Sequence, residues 1–124
     1  MSGVLCAMAS ASQPAPIVGN WDNIAGIAGG VNANVTPTGY TGTRTVKVSW
    51  TYGLGSGGTV DYRKNSGTYT NIASGGTFTI TAGDAVNFRF NGPAAATLIT
   101  VSVKDVSRAD AVIDTFTAED TTPL

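Results

Sequence analysis

The sequence predicts an all-β fold, an antiparallel β-sandwich of seven to nine strands, and three observations carry that expectation. Thr, Val and Ile, whose branched side chains suit a pleated surface, supply 37 of the 124 residues. Strong helix formers are scarce: four Leu, three Lys and one Glu, Glu119. Clusters of Gly, Asn, Asp, Ser and Pro recur about every ten residues, and the stretches between them alternate apolar with polar side chains. A helical bundle or coiled coil is excluded, and a doubly wound α/β enzyme is disfavoured. At 124 residues and 12.6 kDa the chain suits one domain, large enough to bury about two-thirds of its unfolded surface without disulfides or metals.

Residues 1–16 are small and apolar and close on Gln13-Pro14-Ala15-Pro16. Prolines break regular pairing, so this stretch reads as an N-terminal arm and residues 17–124 as the sandwich domain. An apolar arm wants a surface to lie on, which makes Val4, Leu5, Cys6 and Met8 candidate protein contacts; a plain disordered tail is the competing reading. Ile17, Trp21, Ile24 and Ile27 then give apolar points to an irregular segment, with Ile17 and Trp21 added to the candidate contacts.

Val31 to Val35 alternates at period two and ends near Pro37. Val46, Val48, Trp50 and Tyr52 form the dry face of a long strand. Gly53 to Gly58 is a glycine-rich loop whose isolated Leu54 is a further candidate contact. Thr59 to Arg63 and Thr68 to Ile72 make a hairpin about Lys64-Asn65-Ser66-Gly67, where Asn and Gly tolerate positive φ. Thr77 to Thr81 points Phe78 and Ile80 inward; Ala85 to Phe90 does the same with Val86, Phe88 and Phe90; Leu98 to Lys104 with Ile99, Val101 and Val103. Residues 105–110 read as a polar loop. The last strand, Ala111 to Thr117, has two registers: Ile113 inward, or Val112 and Phe116 inward. Residues 119–124 read as a solvated end. Trp50, Tyr62, Phe78, Phe88 and Phe90 are expected in the core, while alternation leaves Trp21, Tyr40, Tyr52 and Tyr69 undetermined.

Charge and chemistry narrow the function. Seven basic residues oppose eight acidic ones, and only Arg63-Lys64 are adjacent. Nucleic acid and anionic membranes are therefore not expected partners. No stretch approaches the roughly 20 apolar residues of a membrane span. The run from Gly3 to Ala9 is short, no Lys or Arg precedes it, and Leu5 stands where a lipoprotein box wants a small residue, so a secretory signal is not expected. The lone Cys6 rules out an internal disulfide; it is a small apolar residue or a partner for a cysteine of another chain.

There is no histidine, so Ser-His-Asp and Cys-His arrangements are out of reach. One cysteine and dispersed carboxylates do not suggest a zinc site, and the Asp-x-Asp spacing of calcium loops is absent. A carboxylate pair remains formally open, although Asp84, in a Gly-Asp turn, reads as a cap of backbone amides. Gly53-Leu54-Gly55-Ser56-Gly57-Gly58 spells G-x-G-x-x-G, but a dinucleotide site needs a following helix, and Thr59-Val60-Asp61-Tyr62 reads as strand. No enzyme and no cofactor are expected.

Val60-Asp61-Tyr62-Arg63-Lys64-Asn65-Ser66-Gly67-Thr68-Tyr69-Thr70, then Gly76-Thr77-Phe78-Thr79-Ile80, then Gly83-Asp84-Ala85-Val86-Asn87-Phe88-Arg89-Phe90 form a further pattern. It resembles the immunoglobulin- or fibronectin-like modules of tailed-bacteriophage virion proteins, which read Y-R-x-N-G-G, x-F-T-V and G-D-x-V-x-x-R. Val112-Ile113-Asp114-Thr115-Phe116-Thr117 resembles their closing strand, D-T-F-x-V. The resemblance covers about residues 40–118 and departs at Ser66, where the pattern has Gly; residues 1–30 carry none of it. It implies an immunoglobulin-like sandwich and a structural role in the virion, most simply a tail tip, collar or fibre-associated protein docked through the arm. Capsid decoration is the alternative, and a carbohydrate- or cell-surface-binding module is the alternative of another class. The implied partners are other virion proteins, symmetry copies of the chain and the host cell surface. The implied location is the virion, with the host cytoplasm during assembly.

Overall fold

A computed structural model of the chain describes residues 14–26, 29–92 and 96–120. The expected contacts Val4, Leu5, Cys6 and Met8, and the apolar point Ile27, lie outside the described residues. Among the described residues there are eight strands: β1 (Gly30–Val31), β2 (Thr43–Leu54), β3 (Thr59–Lys64), β4 (Thr70–Ile72), β5 (Gly76–Thr81), β6 (Val86–Asn91), β7 (Thr97–Asp105) and β8 (Ala111–Asp120). A single 3₁₀ turn, Val106–Arg108, occupies the expected polar loop.

The strands form two antiparallel sheets, β1-β6-β3-β4 and β5-β2-β7-β8. The hairpin β7–β8 beside β2 faces β1, β6 and β3, and the chain crosses between sheets after β1, β2, β4, β5 and β6. That is the connectivity of an immunoglobulin-like sandwich, with β4 and β5 added at the edges. The expected all-β sandwich is therefore what the chain forms.

The core lies between the sheets. Phe88 sits at its centre, its ring 5.3 Å from Phe116, 5.6 Å from Trp21 and 6.4 Å from Phe78. Val46, Val48, Ile99, Val101 and Val103 are buried in phase, as period two requires. β2's dry face fades toward its end, with Trp50 half-buried and Tyr52 and Leu54 exposed. Its twelve residues outrun the six-residue strands of the facing sheet.

Several expectations need correction. Val31 points out and Asn32 points in, the reverse of what hydrophobicity favours. The Asn32 carboxamide accepts from Phe88 N–H (2.8 Å) and donates to the Asp22 carbonyl (3.2 Å). β1 is too short to satisfy that edge by backbone alone, and an unmet amide there costs more than an exposed valine. The β3–β4 turn places Asn65 (φ 55°) and Ser66 (φ 60°), not Gly67, in the left-handed region. β4 is shorter than expected, leaving Tyr69 just outside it.

β8 uses both of its registers. Val103 pairs with Asp114 and Lys104 with Val112, so Ile113 is an extra, bulged residue. Val112, before the bulge, is exposed; Ile113, at it, turns toward the core; after it Phe116 and Ala118 are buried. Glu119 and Asp120 are not a solvated end: both lie in β8, and Asp120 is buried opposite Thr97.

Candidate docking site

The sandwich has two ends, and β2 spans them, with Arg44 near its start and Leu54 at its finish. The functional candidates divide between these ends.

At the Arg44 end the chain enters the domain through Pro14, Ala15 and Pro16. A proline-rich stretch lacks N–H groups to pair, so its carbonyls must find donors. Two guanidinium groups supply them. Arg44 donates from Nη2 to the Ala15 carbonyl at 2.8 Å, and Arg108 donates from Nη1 to the Pro14 carbonyl.

Each arginine is held in turn. Arg44 donates from Nη1 to Asp105 Oδ2 at 2.9 Å in an ion pair whose side chains are only 10% and 1% exposed. Its charge also lies 5.8 Å from the centre of the Tyr40 ring. Asp105 caps the 3₁₀ turn by accepting from Ser107 N–H, and the turn closes through Ala109 in the left-handed conformation. Asp105 thereby positions both arginines: one by direct pairing, the other by fixing the turn that carries it.

Beyond the clamp the backbone stays engaged. Val18 and Thr38 exchange N–H···O bonds of 2.8 Å in both directions. Gly39, at φ 88°, lies so close that a Cβ would stand 2.6 Å from the Pro16 carbonyl oxygen. No side chain larger than hydrogen fits there without displacing the segment. Two hollows flank the segment: one of about 110 Å³ between Ile17, Arg108 and Val112, the other of about 410 Å³ between Ala15, Tyr40 and Arg44. Burial raises the Tyr40 hydroxyl's pKa, the charge of Asp84 adds to the shift, and Arg44 opposes it.

Ile17 and Trp21 are corrections to the candidate contacts. Both are buried, and the Trp21 indole donates to the Val86 carbonyl at 2.9 Å. They serve this chain's own core, leaving nothing to offer a partner. Period-two reasoning missed this because neither sits in a strand, and the segment's apolar spacing was the only signal. Leu54, at the opposite end, is 58% exposed beside the exposed Tyr52, whose hydroxyl donates to the Gly57 carbonyl.

Arg44's charge is matched by Asp105, and four further acids are engaged as structural acceptors: Asp61 with Arg89, Asp110 with Lys47, Asp114 with Trp21 N–H, and Asp22 with Ala33 N–H. Among the described residues no group of three or more Cys, Asp or Glu side chains could hold a metal ion. Among them no helix is long and apolar enough to cross a membrane. The glycine-rich loop is followed by strand β3, which removes the geometry a dinucleotide would need.

No family model matches the chain, and no curated protein matches it. Among solved structures, WR4, a C. elegans MSP family member, is similar over 83% of this chain and 91% of its own length, at 13% identity and a TM-score of 0.29. A score at that level adds nothing to the strand pairing already described.

Proposed function

We propose that this chain is a non-catalytic structural component of a bacteriophage virion, most simply a tail protein, docked by its leading arm and displaying the sandwich outward. The observation that carries the docking half of this reading is the paired-arginine grip on the Pro14 and Ala15 carbonyls. It delivers residues 1–13 from a fixed point on a rigid body, which lowers the ordering cost of attachment. The virion half rests on the resemblance of about residues 40–118 to phage modules. Many symmetric copies would multiply weak arm contacts through avidity. Capsid decoration is the same mechanism at another position in the particle.

The test is incorporation. Tagged full-length chain and a variant lacking residues 1–13 are supplied during infection, and purified particles are probed for each. The variant keeps the clamp, so its melting temperature should match that of the full chain while its incorporation falls at least tenfold. Equal incorporation of a folded truncation overturns the docking mechanism, and absence of the full chain from particles overturns the virion assignment.

A second reading, a carbohydrate- or cell-surface-binding module, is favoured by a separate feature: the ordered arginine and tyrosine cluster on the outer face of the β1-β6-β3-β4 sheet.

A further inference from the structure

The outer face of the β1-β6-β3-β4 sheet should be a simple solvated surface, yet it carries buried polar groups. Asp61 is 4% and Asn87 1% exposed. Asp61 is saturated: Oδ2 accepts from Arg89 Nε (2.9 Å), Arg89 Nη2 (2.7 Å) and Asn91 Nδ2 (2.7 Å), and Oδ1 accepts from Asn71 Nδ2 (3.2 Å). Its negative charge is spent on holding Arg89.

Arg63, on the same face, is held differently. Its Nε donates to Asn87 Oδ1 at 3.0 Å, and Asn87 Nδ2 donates to the Tyr69 hydroxyl at 2.7 Å. Both guanidinium groups stack on Tyr69, with Arg63 4.6 Å and Arg89 4.3 Å from the ring centre. Arg63 is therefore oriented by an amide and an aromatic ring, while no acidic side chain pairs with it among the described residues. Neither Nη atom has a hydrogen-bond partner among the described residues, which leaves two parallel donors at the spacing of a carboxylate.

From this geometry we infer that the face is a binding site for the carboxylate of an acidic saccharide, with Arg63 as the anion ligand and Tyr69 as its backing. Charge selects a monoanion, because Arg89 and Asp61 cancel and Arg63 contributes one net positive charge. A dianionic phosphate would leave one negative charge unmatched. The surroundings select sugar over acidic peptide. Asn71 and Asn91 rim the site with carboxamides suited to hydroxyl groups. Among the described residues, Val31 alone of the large exposed hydrophobics lies on this face, opposite Arg89. That is enough for the C–H edge of one sugar ring and offers no pockets for peptide side chains. The site is independent of the arm clamp.

The full chain is titrated calorimetrically with tetragalacturonate, a hyaluronate tetrasaccharide and sialyllactose, then with methyl-esterified tetragalacturonate and hexaglutamate. At least one acidic saccharide should bind, with esterification or the change to hexaglutamate weakening the interaction at least tenfold. Arg63→Gln and Arg63→Lys should each lose at least tenfold in protein that still unfolds cooperatively, since the lysine keeps the charge but not the paired donors. Asn71→Asp, at an exposed position, should weaken binding by adding a negative charge at the rim, read in protein whose cooperative melting shows it is folded. Silence with all three acidic saccharides, equal binding of the ester or hexaglutamate, or full affinity in folded Arg63 or Asn71 variants overturns the assignment.

Discussion

The two sheets of this sandwich are built with different chemistry. The strands of β5-β2-β7-β8 run six, twelve, nine and ten residues, whereas no strand of β1-β6-β3-β4 exceeds six. Long strands hold one another by continuous backbone ladders, and their apolar alternation suffices to place them. Short strands leave more backbone and edge groups to satisfy, and this sheet meets the demand with side chains: Asn32 extends the β6 ladder, and Asn87 and Asp61 tie three strands together across the outer face. The difference teaches that the long sheet is specified by its apolar pattern and the short one by a polar network.

The strongest check on that division lies where the sheets meet. Phe88 is fully buried among Trp21, Phe78 and Phe116, so Phe88→Ala should cost about 3–5 kcal/mol in chemical denaturation. A loss below about 1 kcal/mol would mean the two sheets do not share one core.

Next comes the network itself. Asp61→Ala strips Arg89, Asn71 and Asn91 of their common acceptor and should cost about 1–3 kcal/mol. A change within about 0.3 kcal/mol would show that the short sheet needs no polar support, and the contrast would fail.

A smaller effect, of opposite sign, sits in the hairpin of the short sheet. Ser66 adopts φ 60°, where an L side chain is strained, so Ser66→Gly should gain about 0.5–1 kcal/mol, read as a raised melting temperature.

The smallest effect concerns the turn that joins the two sheets. Asp84 accepts from Thr81 N–H and from the Asn65 carboxamide, which hold its carboxyl below the usual carboxylate range against the opposing effect of burial. A depressed folded pKa stabilises the fold above the unfolded value of about 4 and loses that contribution as pH falls through the lower folded value. The melting-temperature gap between wild type and Asp84→Asn should be full at neutral pH and close under acid; a gap constant across pH would refute the linkage.

Legibility followed the same contrast. β5, β6 and β7 could be read to within a residue at each end, because strict alternation has only one way to face a core; β2 runs two residues further at each end and takes in Gly53 and Leu54 from the expected loop. The short-range features were harder. Asn32 inward and Val31 outward depend on an amide of β6, more than 50 residues away, that no local pattern reports. The β8 bulge was visible as two competing registers, but only pairing with β7 shows that both are used. The clamp was invisible for the same reason: Arg44 and Arg108 looked scattered in sequence, and the turn capped by Asp105 brings them to neighbouring carbonyls.

The chain's composition and alternation alone determined an all-β sandwich, its long strands and most of its core, since burial of one face per strand is a local property written every second residue. Tertiary structure alone decided which polar residues are buried, where Ile17 and Trp21 end up, and that two distant arginines meet at one segment. Those outcomes depend on hydrogen-bond partners and charges supplied by elements far apart in the chain, and only the folded geometry brings them within 3 Å of one another.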